Sequence, residues 1–147
     1  WKSNKGFVYD INNFKLLDDF NIYGQGWGLT NDGQSLILSD GSEKIYYLNP
    51  KNFEIEKTIS VSVNGNKLIY INELEFIRGE IWANIWKSND IITVNPLSGI
   101  VTSIFDISKI SEQTEIEDVA NGIAWDKVND KIFITGKNWN FIYLLDI

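Results

Sequence analysis

GWGLT at Gly26 to Thr30, NELEF at Asn72 to Phe76 and NGIAW at Asn121 to Trp125 open three copies of one unit. Trp27, Asn72 and Asn121 hold the same place in it, 45 and 49 residues apart, close to the ~40–50-residue period of propeller blades. Each opening leads to a turn (NDGQ, IRGE, DKVND) and then to an apolar, β-favouring run, SLILSD, IWANIW or KIFITGK. These read as two hairpin-linked strands of a meander. A third strand follows at Lys44 to Asn49, Asp90 to Asn95 and Asn140 to Ile147, and after an Asn-Pro turn the first two units add an outer fourth strand, FEIEKTISV and IVTSIFDI. Four short antiparallel strands per unit, with Gly, Asn, Asp and Pro at the corners, compose a β-propeller blade.

The expected architecture is all-β, a partial propeller arc of about three blades in a single domain over residues 1–147. Residues 1–25 supply the outer strands of one blade, 26–71 and 72–120 a blade each, and 121–147 an incomplete last blade. The polar stretch Ser108 to Val119 is the insertion between blades, with room for a short helical turn.

Composition narrows the function classes. With 20 acidic and 13 basic residues the net charge is −7, which repels phosphate backbones and argues against nucleic acid as a partner. Neither His nor Cys occurs, so the usual base of a Ser or Cys nucleophile, thiolate chemistry and the commonest metal ligands are missing. No apolar run approaches the ~18 residues of a membrane-spanning helix. The chain contains no Met, which leads us to expect further residues upstream of Trp1.

Two columns of equivalent positions fall where the inner strands approach one face of the ring. The first reads Trp27, Asn72, Asn121; the second reads Trp1, Asp40, Trp86, Lys137. Each residue also has a structural reading: core packing for a Trp, strand-end capping for Asn72 and Asn121, a solvated surface for Lys137, a turn for Asp40 before Gly41. Trp82, Trp125 and Trp139 read as structural. Glu73 and Glu75 share a strand face like a catalytic carboxylate pair, yet the repeat replaces them by Gly28 and Thr30 and by Gly122 and Ala124. Blade-to-blade contact or local hydrogen bonding is the expected role. No calcium loop or phosphate-cradling glycine loop is found.

GWGLTNDG, INELEFIRGEIWANIW and NGIAWDKVNDKIFITGK together resemble the plant and bacterial glutaminyl-peptide cyclotransferases, and the resemblance runs from Trp1 to Ile147. It implies a five-bladed propeller of which this chain is the C-terminal portion. It also implies an enzyme that closes the N-terminal glutamine of a peptide to pyroglutamate and releases ammonia, without a metal or other cofactor. Carried over position by position, the pocket tryptophans fall on Trp1, Trp27 and Trp86, the hydrogen-bonding asparagine on Asn72 and the channel lysine on Lys137. The family's catalytic glutamate belongs one blade before Trp27, upstream of Trp1. The expected partners are peptides or proteins with N-terminal glutamine, together with the upstream blades of the same propeller. The resemblance suggests export, to the periplasm in bacteria or the secretory route in plants. The alternative function is a non-catalytic propeller that binds peptides or proteins, because fold alone does not fix function.

Overall fold

The computed structural model describes residues 2–111 and 119–146. Antiparallel sheets follow one another along the chain. The first is a pair, β1 (Lys5–Tyr9) and β2 (Leu16–Asn21). Next comes a four-stranded meander of β3 (Gly28–Asn31), β4 (Leu36–Ser39), β5 (Lys44–Leu48) and β6 (Ile55–Ser60). A small hairpin, β7 (Ser62–Val63) and β8 (Asn66–Lys67), leads to the second meander: β9 (Ile71–Ile77), β10 (Glu80–Ile85), β11 (Asp90–Val94) and β12 (Val101–Asp106). After the helical turn α1 (Ser108–Ser111) the last sheet holds β13 (Ala120–Asp126), β14 (Lys131–Gly136) and β15 (Tyr143–Leu145). The chain is an all-β propeller arc with four-stranded blades, as the repeat predicts. The rest of the predicted insertion lies outside the described residues.

Packing between blades explains why the second strands read as unbroken apolar runs rather than as alternating ones. On β10, Ile81, Ala83 and Ile85 join the core shared with the preceding meander, which includes Ile37, Ile45, Ile59 and Leu74. Trp82, on the opposite face, joins the core shared with the following sheet, which includes Ile91, Ile123, Ile132 and Ile134. A strand sandwiched between two neighbours must be apolar on both faces. Each buried aliphatic side chain contributes ~1.5–3 kcal/mol of transfer free energy. These two seams therefore hold the arc together.

Two local features depart from the repeat's grammar. The β7–β8 hairpin, absent from that reading, turns at Asn64-Gly65, both in the left-handed region (φ 51° and 79°), the pairing that a two-residue hairpin favours. The last third strand is expected over Asn140 to Ile147; among the described residues it forms at Tyr143–Leu145, and Ile147 lies outside them. Before it, Trp139 N–H bonds to Gly136 O (3.2 Å) and Thr135 Oγ1 donates to Phe141 O (3.1 Å), so the chain turns there instead of pairing. At the other end of the arc, the Phe20 ring stacks on Phe53 with centroids 3.7 Å apart, tying β2 to the 49–54 turn of the next sheet.

Candidate functional site

The inner strands deliver Trp27, Asn72, Trp86, Asn121 and Lys137, with Gly26, to one cavity of about 350 Å³. The four site residues predicted within the described part of the chain all line it, and they come from three successive blades. Trp1 lies outside the described residues. Asp40, the remaining member of the second column, is a turn residue as expected. Its carboxylate accepts from Ser42 N–H (2.9 Å) and hydroxyl (2.5 Å) and from the Tyr46 hydroxyl (2.9 Å).

Backbone bonds place the cavity side chains. Trp27 N–H donates to Ser39 O (2.9 Å), and its indole lies over the turn at Gly41, where a Cβ would collide with the ring. Gly41 also adopts φ 85°, open to glycine at little cost. Trp86 N–H donates to Tyr70 O (2.9 Å) and Tyr70 N–H to Gly41 O (2.8 Å), joining both tryptophan loops through one residue. Tyr70 holds φ 68°, a left-handed conformation that is costly for a bulky side chain. Strain of this kind persists only where the surroundings fix it. The Trp27 and Trp86 rings meet edge-to-face at 5.4 Å and 87°, and the Tyr70 ring meets Trp86 at 5.7 Å and 69°. Lys87 Nζ sits 4.6 Å from the centroid of the Trp86 ring.

Asn72 and Asn121 owe their direction to matching irregularities. In β9 the register slips between Ile71 and Leu74, and in β13 between Ala120 and Ile123, so each strand carries one extra residue at its asparagine. A bulge re-aims a side chain that regular alternation would send elsewhere. Asn72 is 6% exposed, and its carbonyl accepts the Ser39 hydroxyl (2.5 Å) of the preceding blade. Its side chain makes no hydrogen bond among the described residues, leaving the amide to the cavity. Lys137 is anchored by its own N–H on Val119 O (3.0 Å). Its exposed ammonium forms no ion pair among the described residues and supplies positive potential to an acidic chain.

Glu73 and Glu75 span blade junctions. Glu73 accepts Ile123 N–H (3.0 Å), while Glu75 accepts Trp125 N–H (3.1 Å) on one side and the Thr30 hydroxyl (3.0 Å) on the other. Neither lines the cavity, and the catalytic-pair reading falls away. Burial pushes the Glu73 carboxyl up to about 8, Ile123 N–H opposing and the Glu75 charge adding to the rise. The tryptophans read as structural are so placed: Trp82 stacks on Phe105 (5.0 Å), Trp139 packs against the second core, and Trp125 Nε1 donates to Asp130 (3.0 Å).

Asn121 is the cavity residue that sequence reasoning set aside as a strand-end cap. Among the described residues its side-chain oxygen caps nothing, being buried without a hydrogen-bond partner. Its equivalence to Asn72 in the repeat was the signal available for finding it.

Comparison with known proteins adds family evidence. A family model described as glutamine cyclotransferase matches residues 1–147. A glutaminyl-peptide cyclotransferase of Arabidopsis thaliana is 36% identical over 153 residues, covering 100% of this chain and 48% of that protein. This chain therefore spans about half the length of that curated relative. The crystal structure of Myxococcus xanthus glutaminyl cyclase superposes with a TM-score of 0.90 at 30% identity, covering 99% of this chain and 67% of the other. The structure of BamB from Moraxella catarrhalis, at 14% identity, a TM-score of 0.55 and 99% and 40% coverage, is similar in fold alone.

Proposed function

The chain belongs to the glutamine cyclotransferase family, and from that premise we propose that it is part of a glutaminyl-peptide cyclotransferase, acting on peptides or proteins that begin with glutamine. One observation carries the reading: Trp27, Asn72, Trp86 and Lys137, positions at which the resemblance places the pocket residues, line a single cavity.

In the proposed reaction the α-amino nitrogen attacks the γ-carboxamide carbon of the same residue. A C–N bond forms, a proton passes from the amine to the departing nitrogen, and ammonia leaves as the old C–N bond breaks. The chief task is to hold a flexible side chain in its folded conformer, and correct orientation of reacting groups is worth several kcal/mol. The perpendicular walls of Trp27 and Trp86 suit that task, and their faces attract an ammonium before it loses its proton. We assign the Asn72 amide to the γ-carbonyl oxygen, where negative charge develops, a contribution of ~3 kcal/mol for one well-placed donor. Lys137 adds positive potential at the same cavity or orients the acid/base carboxylate.

That carboxylate is placed by the resemblance on the blade before Trp27, and Trp1 joins the aromatic wall in the same reading. Glu73 and Glu75 are already bonded across blade junctions, which supports assigning proton transfer elsewhere. The reaction is proposed to proceed without a metal, and the protein to be exported, both on the family resemblance.

The test is ammonia release from a glutamine-initiated dipeptide by the full-length protein. Release that stops when the α-amine is acetylated supports cyclisation. A folded protein that binds the peptide without releasing ammonia is a binding module instead.

A further inference from the structure

Among the described residues two buried side-chain atoms lack a hydrogen-bond partner, Asn121 Oδ1 and Asn84 Nδ2. One is an acceptor and the other a donor, and both belong to the same blade junction. Asn84 is 1% exposed on β10, and its Oδ1 accepts the N–H of Gly122 (3.1 Å), the residue next to Asn121. Buried polar atoms are rarely left unpaired in folded proteins. The two atoms, an unmet donor and an unmet acceptor not bonded to each other, therefore mark a hydrogen bond that this junction has the groups to make.

The consequence lies on the cavity side. Asn121 lines the cavity beside Asn72, and with its oxygen buried it has its amide N–H₂ left for a ligand. The repeat makes Asn121 the counterpart of Asn72 one blade on, and both sit in matching bulges. Two amides on adjacent inner strands thus converge on one space.

We propose that Asn121 is a second substrate-contacting residue, donating its side-chain N–H to a carbonyl oxygen of the peptide's first residue, and that Asn84 positions it by closing onto its oxygen as the peptide engages the amide. The inference rests on the peptide-cyclising reading above. It also gives Asn84 a purpose that the Gly122 bond alone leaves half explained, since that bond uses only the oxygen of the amide.

The experiment is steady-state ammonia release from a glutamine-initiated dipeptide by the full-length protein carrying Asn121→Ala, Asn121→Asp or Asn84→Asp, with Tm measured for each. Asn121→Asp keeps size and acceptor oxygen but removes the donor; Asn84→Asp keeps the acceptor for Gly122 N–H and removes the donor behind Asn121. Both Asn121 variants are expected to lose roughly tenfold or more in kcat/KM, the usual scale for one lost hydrogen bond to substrate, with Tm close to wild type. Asn84→Asp is expected to lower kcat/KM in the wild-type background and to change it less than twofold in the Asn121→Ala background, as a residue acting through another must.

Asn121→Asp retaining kcat/KM within twofold overturns the donor role. Multiplicative losses in the double variant overturn the positioning role of Asn84. A folded wild type that releases no ammonia defeats the cyclisation reading instead. Peptide affinity read from tryptophan fluorescence, across the same variants, then decides Asn121 separately: unchanged affinity in Asn121→Ala and Asn121→Asp overturns it.

Discussion

Asn72 and Glu73 are neighbours in one bulge and face opposite tasks. Asn72 turns an unbonded amide to the cavity, so Asn72→Ala is expected to lower kcat about 100-fold with little change in Tm. Steady-state kinetics on a glutamine-initiated dipeptide checks this, and an unchanged kcat removes the oxyanion role. Glu73 turns toward the next blade, where burial lifts its carboxyl from 4.5 to about 8. Between those values the folded state keeps a proton that the unfolded state releases. Stability from this group is therefore greatest at the acidic end and falls as pH rises toward 8. Glu73→Gln keeps a carbonyl acceptor for Ile123 N–H and removes the ionisation. It is expected to flatten the decline in Tm between pH 5 and 8 and to gain on the order of a few kcal/mol over wild type at the upper end. Parallel Tm profiles for the two proteins would refute it.

At the scale of elements, β9 and β13 are the structural hinges of the site, because they carry Asn72 and Asn121 and bond to the blade beside them. β3 and β9 approach so closely that a Cβ on Gly28 would strike the Asn72 carbonyl oxygen. The Ser39 hydroxyl, 0% exposed, closes this junction by accepting Gly28 N–H (2.8 Å) and donating to Asn72 O (2.5 Å). Ser39→Ala leaves a buried donor and a buried acceptor unmet, an expected cost of about 3 kcal/mol. Urea denaturation should show the lower midpoint with an unchanged m-value. Because Asn72 loses its backbone anchor, kcat/KM should fall as well; a stable, fully active variant would show that the junction does not need the hydroxyl.

For the molecule as a whole, the arc presents apolar surface at its β1–β2 end. Phe7 (49% exposed), Tyr9 (53%), Leu16 (49%) and Leu17 (60%) stand uncovered on that sheet, and patches of this kind mark association surfaces. In the proposed enzyme the preceding blades of the same propeller cover them. Residues 1–147 expressed alone are therefore expected to bind an apolar reporter dye such as ANS, and the protein carrying the preceding blades to bind far less. Equal dye binding by both would overturn the covering of this sheet by preceding blades.

The amino-acid order by itself determined the blade pattern. Short apolar, β-favouring runs between Asn, Gly and Pro turns admit few other arrangements, and repetition put Trp27, Asn72, Trp86 and Lys137 in columns at one end of the inner strands. Those columns were legible because repeated units stacked side by side bring equivalent positions together. What lies opposite a given strand was decided by tertiary structure. Alternation tells which face a side chain takes, but not which atom the next blade places there, and a bulge interrupts the alternation without a mark in the hydrophobic pattern. So the bonds of Glu73 and Glu75 across blade junctions, and the orphan oxygen that separates Asn121 from an ordinary cap, emerged only when the blades were packed. Hydrogen-bond satisfaction belongs to pairs of atoms brought together by the fold, and a linear pattern carries no record of the second partner.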